Sequence, residues 1–116
     1  MGFFGAPISQ SDHAIRACRT AVAMRKALPE LNDEIAEHGI VRVDFRIGIA
    51  SGNVMIGNIG SEEHFNYTVL GDTVNLASRL EASGKEYDTH CIISEGTRKL
   101  IGAGFELREL DTIAVK

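Results

Sequence analysis

NYTVLGDTVNLASRLE, residues 66–81, reads as a strand, a turn and a helix in immediate succession. The strand is 67–70 and Gly71 marks the turn. Asp72 stands where an N-cap belongs, its carboxylate placed to accept from the free N–H groups of the first turn, so a helix is expected from about Thr73. At about 100° per residue, Val74, Ala77 and Leu80 share one side of that helix. Asn75 and Arg79, four residues apart, share the opposite side. One helix thus projects an amide and a guanidinium from its first two turns. They stand beside a helix start whose N–H groups and dipole favour an anion. On spacing alone, the ordinary explanation is the wet face of an amphipathic helix.

The longer run GNIGSEEHFNYTVLGDTVNLASRLE, residues 57–81, shifts that balance. It resembles the core signature of class III nucleotide cyclases, the family of adenylyl and guanylyl cyclase catalytic domains. The likeness extends from FFGAP near the start to the terminal AVK, essentially the whole chain. An ungapped match of this length is far more specific than a short pattern such as GxGxxG.

Size and composition bound what such a chain can be. Its 116 residues suffice for one domain and no more. Apolar residues make up 44% and charged residues 24%, as in ordinary globular proteins. The net charge of −4 argues against a general nucleic-acid binder, which would need a basic surface. A single nucleotide needs only local positive charge and stays open. Cys18 and Cys91 lie far apart and form no CxxC pair; two buried, reduced thiols in a cytoplasmic protein are expected. No apolar run approaches the ~20 residues that cross a bilayer, so this segment is expected to make no direct membrane contact, whatever anchors a longer parent.

Residues 1–5 look like the last strand of a hairpin whose first half is absent. Residues 9–12 supply N-cap candidates for a helix at about 12–28, carried by Ala14, Cys18, Ala21 and Leu28. Pro29 should kink or end it, with Leu31 and Ile35 carrying the pattern on to Gly39. Residues 40–50 alternate Val41, Val43, Phe45, Ile47 and Ile49 against polar partners, and read as the clearest strand of the chain. Residues 51–53 read as a turn and 54–59 as the returning strand. Gly48, Gly52, Gly57 and Gly60 mark either bulges or the close approach of another backbone or a ligand. Residues 61–65 form a polar loop. The organising helix ends at Ser83-Gly84. A short buried strand follows at 90–94, then a helix at 95–101 capped by Ser94, then strands at 105–110 and 113–115. The mixture, without a strict βαβ rhythm, points to α+β.

Several chemistries are set aside. No H-E-x-x-H, zinc-spaced Cys/His cluster, Walker A loop or G-x-S-x-G elbow is present. His13, His38, His64 and His90 are scattered and read as loop or surface residues.

The resemblance implies a single, partial cyclase domain over 1–116. Its ferredoxin-like α+β core would lack the N-terminal strand and first helices. It implies conversion of ATP to 3′,5′-cyclic AMP and pyrophosphate, by attack of the ribose 3′-oxygen on the α-phosphate. Asn75 matches the family asparagine that orients the ribose, and Arg79 the arginine that neutralises charge on the α-phosphate. Lys116 matches the lysine that holds the β- and γ-phosphates. Thr68 matches a base-reading position and favours ATP over GTP. The family uses Mg²⁺ or Mn²⁺ held by two aspartates, one on its first strand and one in a G-D pair before the strand with which this chain begins. Neither is matched here, nor is the lysine that assists base reading, so no metal ligand is expected in this chain. The family works as a head-to-tail homodimer whose sites take carboxylates from one subunit and Asn/Arg from the other. The expectation is therefore the ribose- and phosphate-binding half of an adenylate cyclase site, inactive in isolation. The alternatives are a degenerate cyclase-like domain that binds nucleotide or a partner without catalysis, and a nucleotide-independent dimerisation module.

Overall fold

A computed structural model describes residues 1–6, 8–39, 41–59 and 66–105. Along the chain the elements are α1 (His13–Glu37), β1 (Ile47–Ile49), β2 (Met55–Ile59), β3 (Asn66–Leu70), α2 (Asp72–Ser83), β4 (Cys91–Ile93) and α3 (Glu95–Ile101).

Among the described residues the strands form two ribbons. β1 and β4 run parallel, with Ile47, Gly48 and Ile49 opposite Cys91, Ile92 and Ile93. β2 and β3 run antiparallel, from Met55 opposite Leu70 to Ile59 opposite Asn66. A parallel pair needs a crossover, and the α2 helix lies within it, packed on both β1 and β4. Successive strand residues face opposite sides, and that sorts the layers. Gly48 faces α2, meeting Ala77, Leu80 and Glu81. Ile49 and Ile93 face the other way, onto a core of Ala14, Cys18 and Ile101 from α1 and α3, with Ile15 and Phe105 alongside. The small sheet is thus sandwiched between α2 and the α1/α3 pair, an α+β arrangement.

Several expectations are corrected. Pro29 does not end the helix: α1 runs on to Glu37, along the pattern carried by Leu31 and Ile35. An interior proline costs about 3 kcal/mol in a free helix. Here Leu28 and Asn32, both buried, anchor the same face on either side of it. Asn32, only 5% exposed, donates through Nδ2 to the Val43 carbonyl (2.9 Å) and accepts through Oδ1 from the Val43 N–H (2.8 Å). A buried amide satisfied twice in this way holds the approach to β1 against α1 as a neighbouring strand would.

The long strand expected at 40–50 is shorter. Only Ile47–Ile49 pairs, and Val41 is 83% exposed. Alternation alone does not make a strand: residues 41–46 pair with no strand among the described residues, so their backbone forms no ladder. The same holds for 1–5, which form no strand. Residues 55–59 return not onto β1 but onto β3, so the antiparallel ribbon spans 60–65 rather than the 51–53 turn. Cys18 is buried as expected but Cys91 is exposed. In β4 the buried position is Ile92, and Cys91, one residue earlier, lies on the opposite face. The strands expected at 105–110 and 113–115 and the loop at 61–65 lie outside the described residues, Phe105 excepted.

Candidate functional site

α2 is placed by three close approaches. At its start, Gly71 serves as the N-cap with φ 139°, a conformation open essentially to glycine, and its carbonyl accepts from Val74 (3.1 Å) and Asn75 (3.3 Å). In its middle, Gly48 leaves room for the backbone of Ala77 and Glu81. At its end, Gly84 lies against the Thr89 carbonyl, which a Cβ would approach to 2.7 Å. Asp72 is therefore not the cap: it is the first helical residue, with no side-chain cap bond. The turn geometry demands glycine at the cap and moves the aspartate one position inward. Its charge still favours the helix dipole. An anion approaching that end consequently meets a carboxylate as well as free N–H groups.

The expected faces are observed. Leu80 is buried, and Val74, Leu76 and Ala77 are half-buried against the sheet. Asn75 and Arg79 are exposed. Neither side chain has a hydrogen bond or ion pair among the described residues. Four residues apart, they are neighbours on the helix surface. Arginine at such a position offers five N–H donors in a planar fork, suited to phosphate oxygens. Asparagine adds one acceptor and two donors, enough to fix a hydroxyl pair.

Thr68 lies in β3 opposite Gly57, on the strand that feeds directly into Gly71 and α2. Lys116 lies outside the described residues. Asn75 and Arg79 are thus brought to one face, and Thr68 to the strand leading into their helix.

An open depression of about 460 Å³ lies at the other end of α2, lined by Asp44, Arg46, Glu81, Lys85, Asp88 and His90 among others. Asn75 and Arg79 take no part in it. Asp44 there accepts from Arg25 Nη1 (2.8 Å) and stands 3.4 Å from His90 Nε2. Arg25 also donates to the Phe45 carbonyl (2.9 Å) and covers the Phe45 ring at 5.1 Å, pinning α1 to the strand approach.

Divalent metal ions such as Mg²⁺ demand a cluster of oxygen ligands. Among the described residues no group of three or more His, Cys, Asp or Glu is placed to hold one. These residues by themselves do not fit such an ion. No described helix is long and apolar enough to cross a membrane.

Sequence reasoning missed one group of polar residues near α2. Thr97 is wholly buried, and its Oγ1 lies 2.7 Å from Ser51 Oγ and 3.1 Å from Ser94 Oγ. The expected Ser94 cap is present, accepting from the Thr97 N–H at 3.2 Å. The link onward to Ser51 spans 46 residues and leaves no local signal in the sequence.

The family model for the adenylate and guanylate cyclase catalytic domain matches residues 1–116. Adenylate cyclase 1 of Rhizobium meliloti (strain 1021) is 38% identical over 91 residues, covering 78% of this chain and 14% of that protein. Among solved structures, the guanylyl cyclase Cya2 superimposes with a TM-score of 0.84 at 38% identity, over 96% of this chain and 55% of that one. The adenylyl cyclase CyaB from P. aeruginosa superimposes with a TM-score of 0.83 at 34% identity, over 97% and 58%. The chain thus spans little more than half of the length of these solved chains and a small part of the curated relative.

Proposed function

This chain belongs to the adenylate and guanylate cyclase catalytic domain family, and from that premise we propose that it supplies the ribose- and phosphate-binding half of an adenylate cyclase site. The observation that carries the proposal is the pairing of Asn75 and Arg79, exposed and without partners among the described residues, on one face of a helix otherwise held tightly to the sheet. Long polar side chains left unpaired on an ordinary surface are common. Two such groups set side by side on a rigid support are what substrate alignment requires.

The reaction forms a bond between the ribose 3′-oxygen and the α-phosphorus and breaks the bond from that phosphorus to the bridging oxygen of pyrophosphate. The 3′-hydroxyl proton leaves in the process. Asn75 orients the ribose so that the oxygen lies in line with the departing group. Arg79 donates charge-assisted hydrogen bonds to the oxygens of the α-phosphate as negative charge shifts there. Lys116 holds the β- and γ-phosphates, and Thr68 meets the adenine edge. The Mg²⁺ or Mn²⁺ that the family uses would be held by carboxylates outside the described residues. The working unit is a homodimer in which the face of α2 from one subunit completes the metal half from the other. A cytoplasmic location suits an ATP-dependent reaction.

Cyclase assays on the full-length protein test this, with Arg79→Ala and Asn75→Ala compared at matched melting temperature. Each should lower kcat by about 10²-fold or more, the scale for removing one transition-state donor. Unchanged turnover in both variants would refute the assignment. Nucleotide binding without any turnover in the unmodified protein would favour the degenerate, nucleotide-binding alternative.

A further inference from the structure

We infer that residues 51–53 and Thr73 form a clasp that fixes the first turn of α2, making Thr73 a positioning residue for the chemistry of Asn75 and Arg79. This rests on the function proposed above. Thr73 Oγ1 donates to the Asn53 carbonyl at 3.4 Å. Gly52 makes that approach possible: a Cβ there would stand 2.5 Å from Thr73 Oγ1 and 3.5 Å from its Cγ2. Any side chain at 52 therefore displaces the hydroxyl from its acceptor.

The segment that receives Thr73 is itself anchored from behind. Ser51 Oγ lies 2.7 Å from Thr97 Oγ1, and Thr97 has no exposure at all. The Ser94 N–H donates to the Ile49 carbonyl at 2.9 Å, tying the same corner to the end of β1. The Thr97 hydroxyl, shut off from water, has only such protein partners to satisfy it, and that holds the half-buried Ser51 in place. Residues 51–53 are thus an abutment fixed to β1 and α3, and Thr73 ties the start of α2 to it.

The consequence concerns position rather than overall stability. Gly48 and Gly84 hold the middle and end of α2 whatever happens at residue 73. The first turn, where Asn75 projects, has no comparable backbone contact among the described residues: it is held by the Gly71 cap, the half-buried Val74 and Leu76, and the Thr73 tie. Helix ends fray when untied. Releasing Thr73 leaves the fold intact but lets Asn75 wander relative to Arg79, so alignment suffers more than substrate affinity.

The test uses the full-length protein, with kcat, KM for ATP and melting temperature measured for Thr73→Val, Thr73→Ser, Gly52→Ala and Arg79→Ala. Thr73→Val and Gly52→Ala should each lower kcat about tenfold with KM changed less than about twofold, as misalignment does. Thr73→Ser keeps the hydroxyl and should stay within about twofold of the unmodified protein on both constants. Gly52→Ala displaces the Thr73 hydroxyl without changing the residues at 73 and 97, so it decides the matter if Thr73→Val does not fold. Normal kcat in the folded Thr73→Val or Gly52→Ala variants, or a Thr73→Ser variant as slow as Thr73→Val, overturns the clasp. Arg79→Ala separates the two ideas. If it keeps full turnover, the proposed function falls and the clasp with it. If it is inactive while Thr73→Val is normal, the clasp alone falls.

Discussion

Gly48 and Ala77 meet backbone to backbone: a Cβ on Gly48 would run into the Ala77 carbonyl oxygen and the Glu81 amide nitrogen. Ala77 lies between Asn75 and Arg79 in sequence and opposite them on the helix. The height at which that polar pair stands above the sheet is therefore set at this contact. Neither obstacle is a flexible side-chain tip, so nothing can swing aside to admit a methyl group.

Gly48→Ala is accordingly predicted to push α2 off β1. Overpacking of this kind costs about 1–3 kcal/mol. Urea denaturation should show a lower midpoint at an unchanged slope, and turnover in the full-length protein should fall with it. A variant as stable as the unmodified protein would show that the contact is looser than described.

Asp44 gives a pH dependence of defined sign. The Arg25 guanidinium bonded to it holds its carboxyl below the usual carboxylate range, with the Phe45 N–H adding to the effect. A depressed folded-state pKa means that the charged form is favoured on folding. The contribution is full above the unfolded pKa and is lost as pH falls through the folded one. Stability should therefore decline on the acid side, and Asp44→Asn should flatten that decline without steepening it elsewhere. Asp12, bonded to Arg16, acts in the same direction and leaves a residual slope. Denaturation midpoints measured from neutral pH downward check this, and identical acid limbs for Asp44→Asn and the unmodified protein would count against it.

Substrate choice is the third prediction. Thr68 lies on the strand that leads into the site helix, and the base-reading role proposed for it would favour adenine. A base whose edge leaves such a group unsatisfied loses about 1–3 kcal/mol. The full-length protein should turn over ATP with a kcat/KM roughly 5- to 150-fold above that for GTP on that scale. Equal turnover of the two would remove Thr68 from the site.

The fourth prediction concerns sharing of sites. An Arg79→Ala protein mixed with one lacking a metal-binding aspartate should recover part of the activity, because one site of the heterodimer is then intact. No recovery across a range of ratios, with heterodimers demonstrated, would contradict a shared site.

How far the molecule could be read from its sequence depends on the range of the interaction. α3 and its Ser94 cap were legible, because a cap bond spans three residues. The two faces of α2 were legible from the 3.6-residue period. The partners of β1 and β2 were not. Ile47 pairs with Cys91 across the whole α2 crossover, and alternation says which way side chains point but not which strand lies alongside. Asn32 was invisible for a related reason. The apolar period pointed to Leu31 and Ile35, whereas the buried position is an amide whose value lies in Val43, eleven residues on. At Gly48 the sequence leaves a bulge and a close approach equally open, and only the packing shows that the backbone of α2 comes close there. As for the site, spacing put Asn75 and Arg79 on one exposed face, while their roles came only through resemblance to the cyclases.

The central proposal is that Arg79 grips the nucleotide while the described residues supply no metal site. The direct measurement is calorimetric titration of the 116-residue chain with an ATP analogue, run beside a cyclase assay with ATP and Mn²⁺. The account predicts weak binding that drops about tenfold or more in Arg79→Ala, the scale of a lost charge-assisted hydrogen bond, and no cyclic AMP from either protein. Binding that ignores Arg79→Ala, or turnover by the chain alone that vanishes in Arg79→Ala, would contradict it.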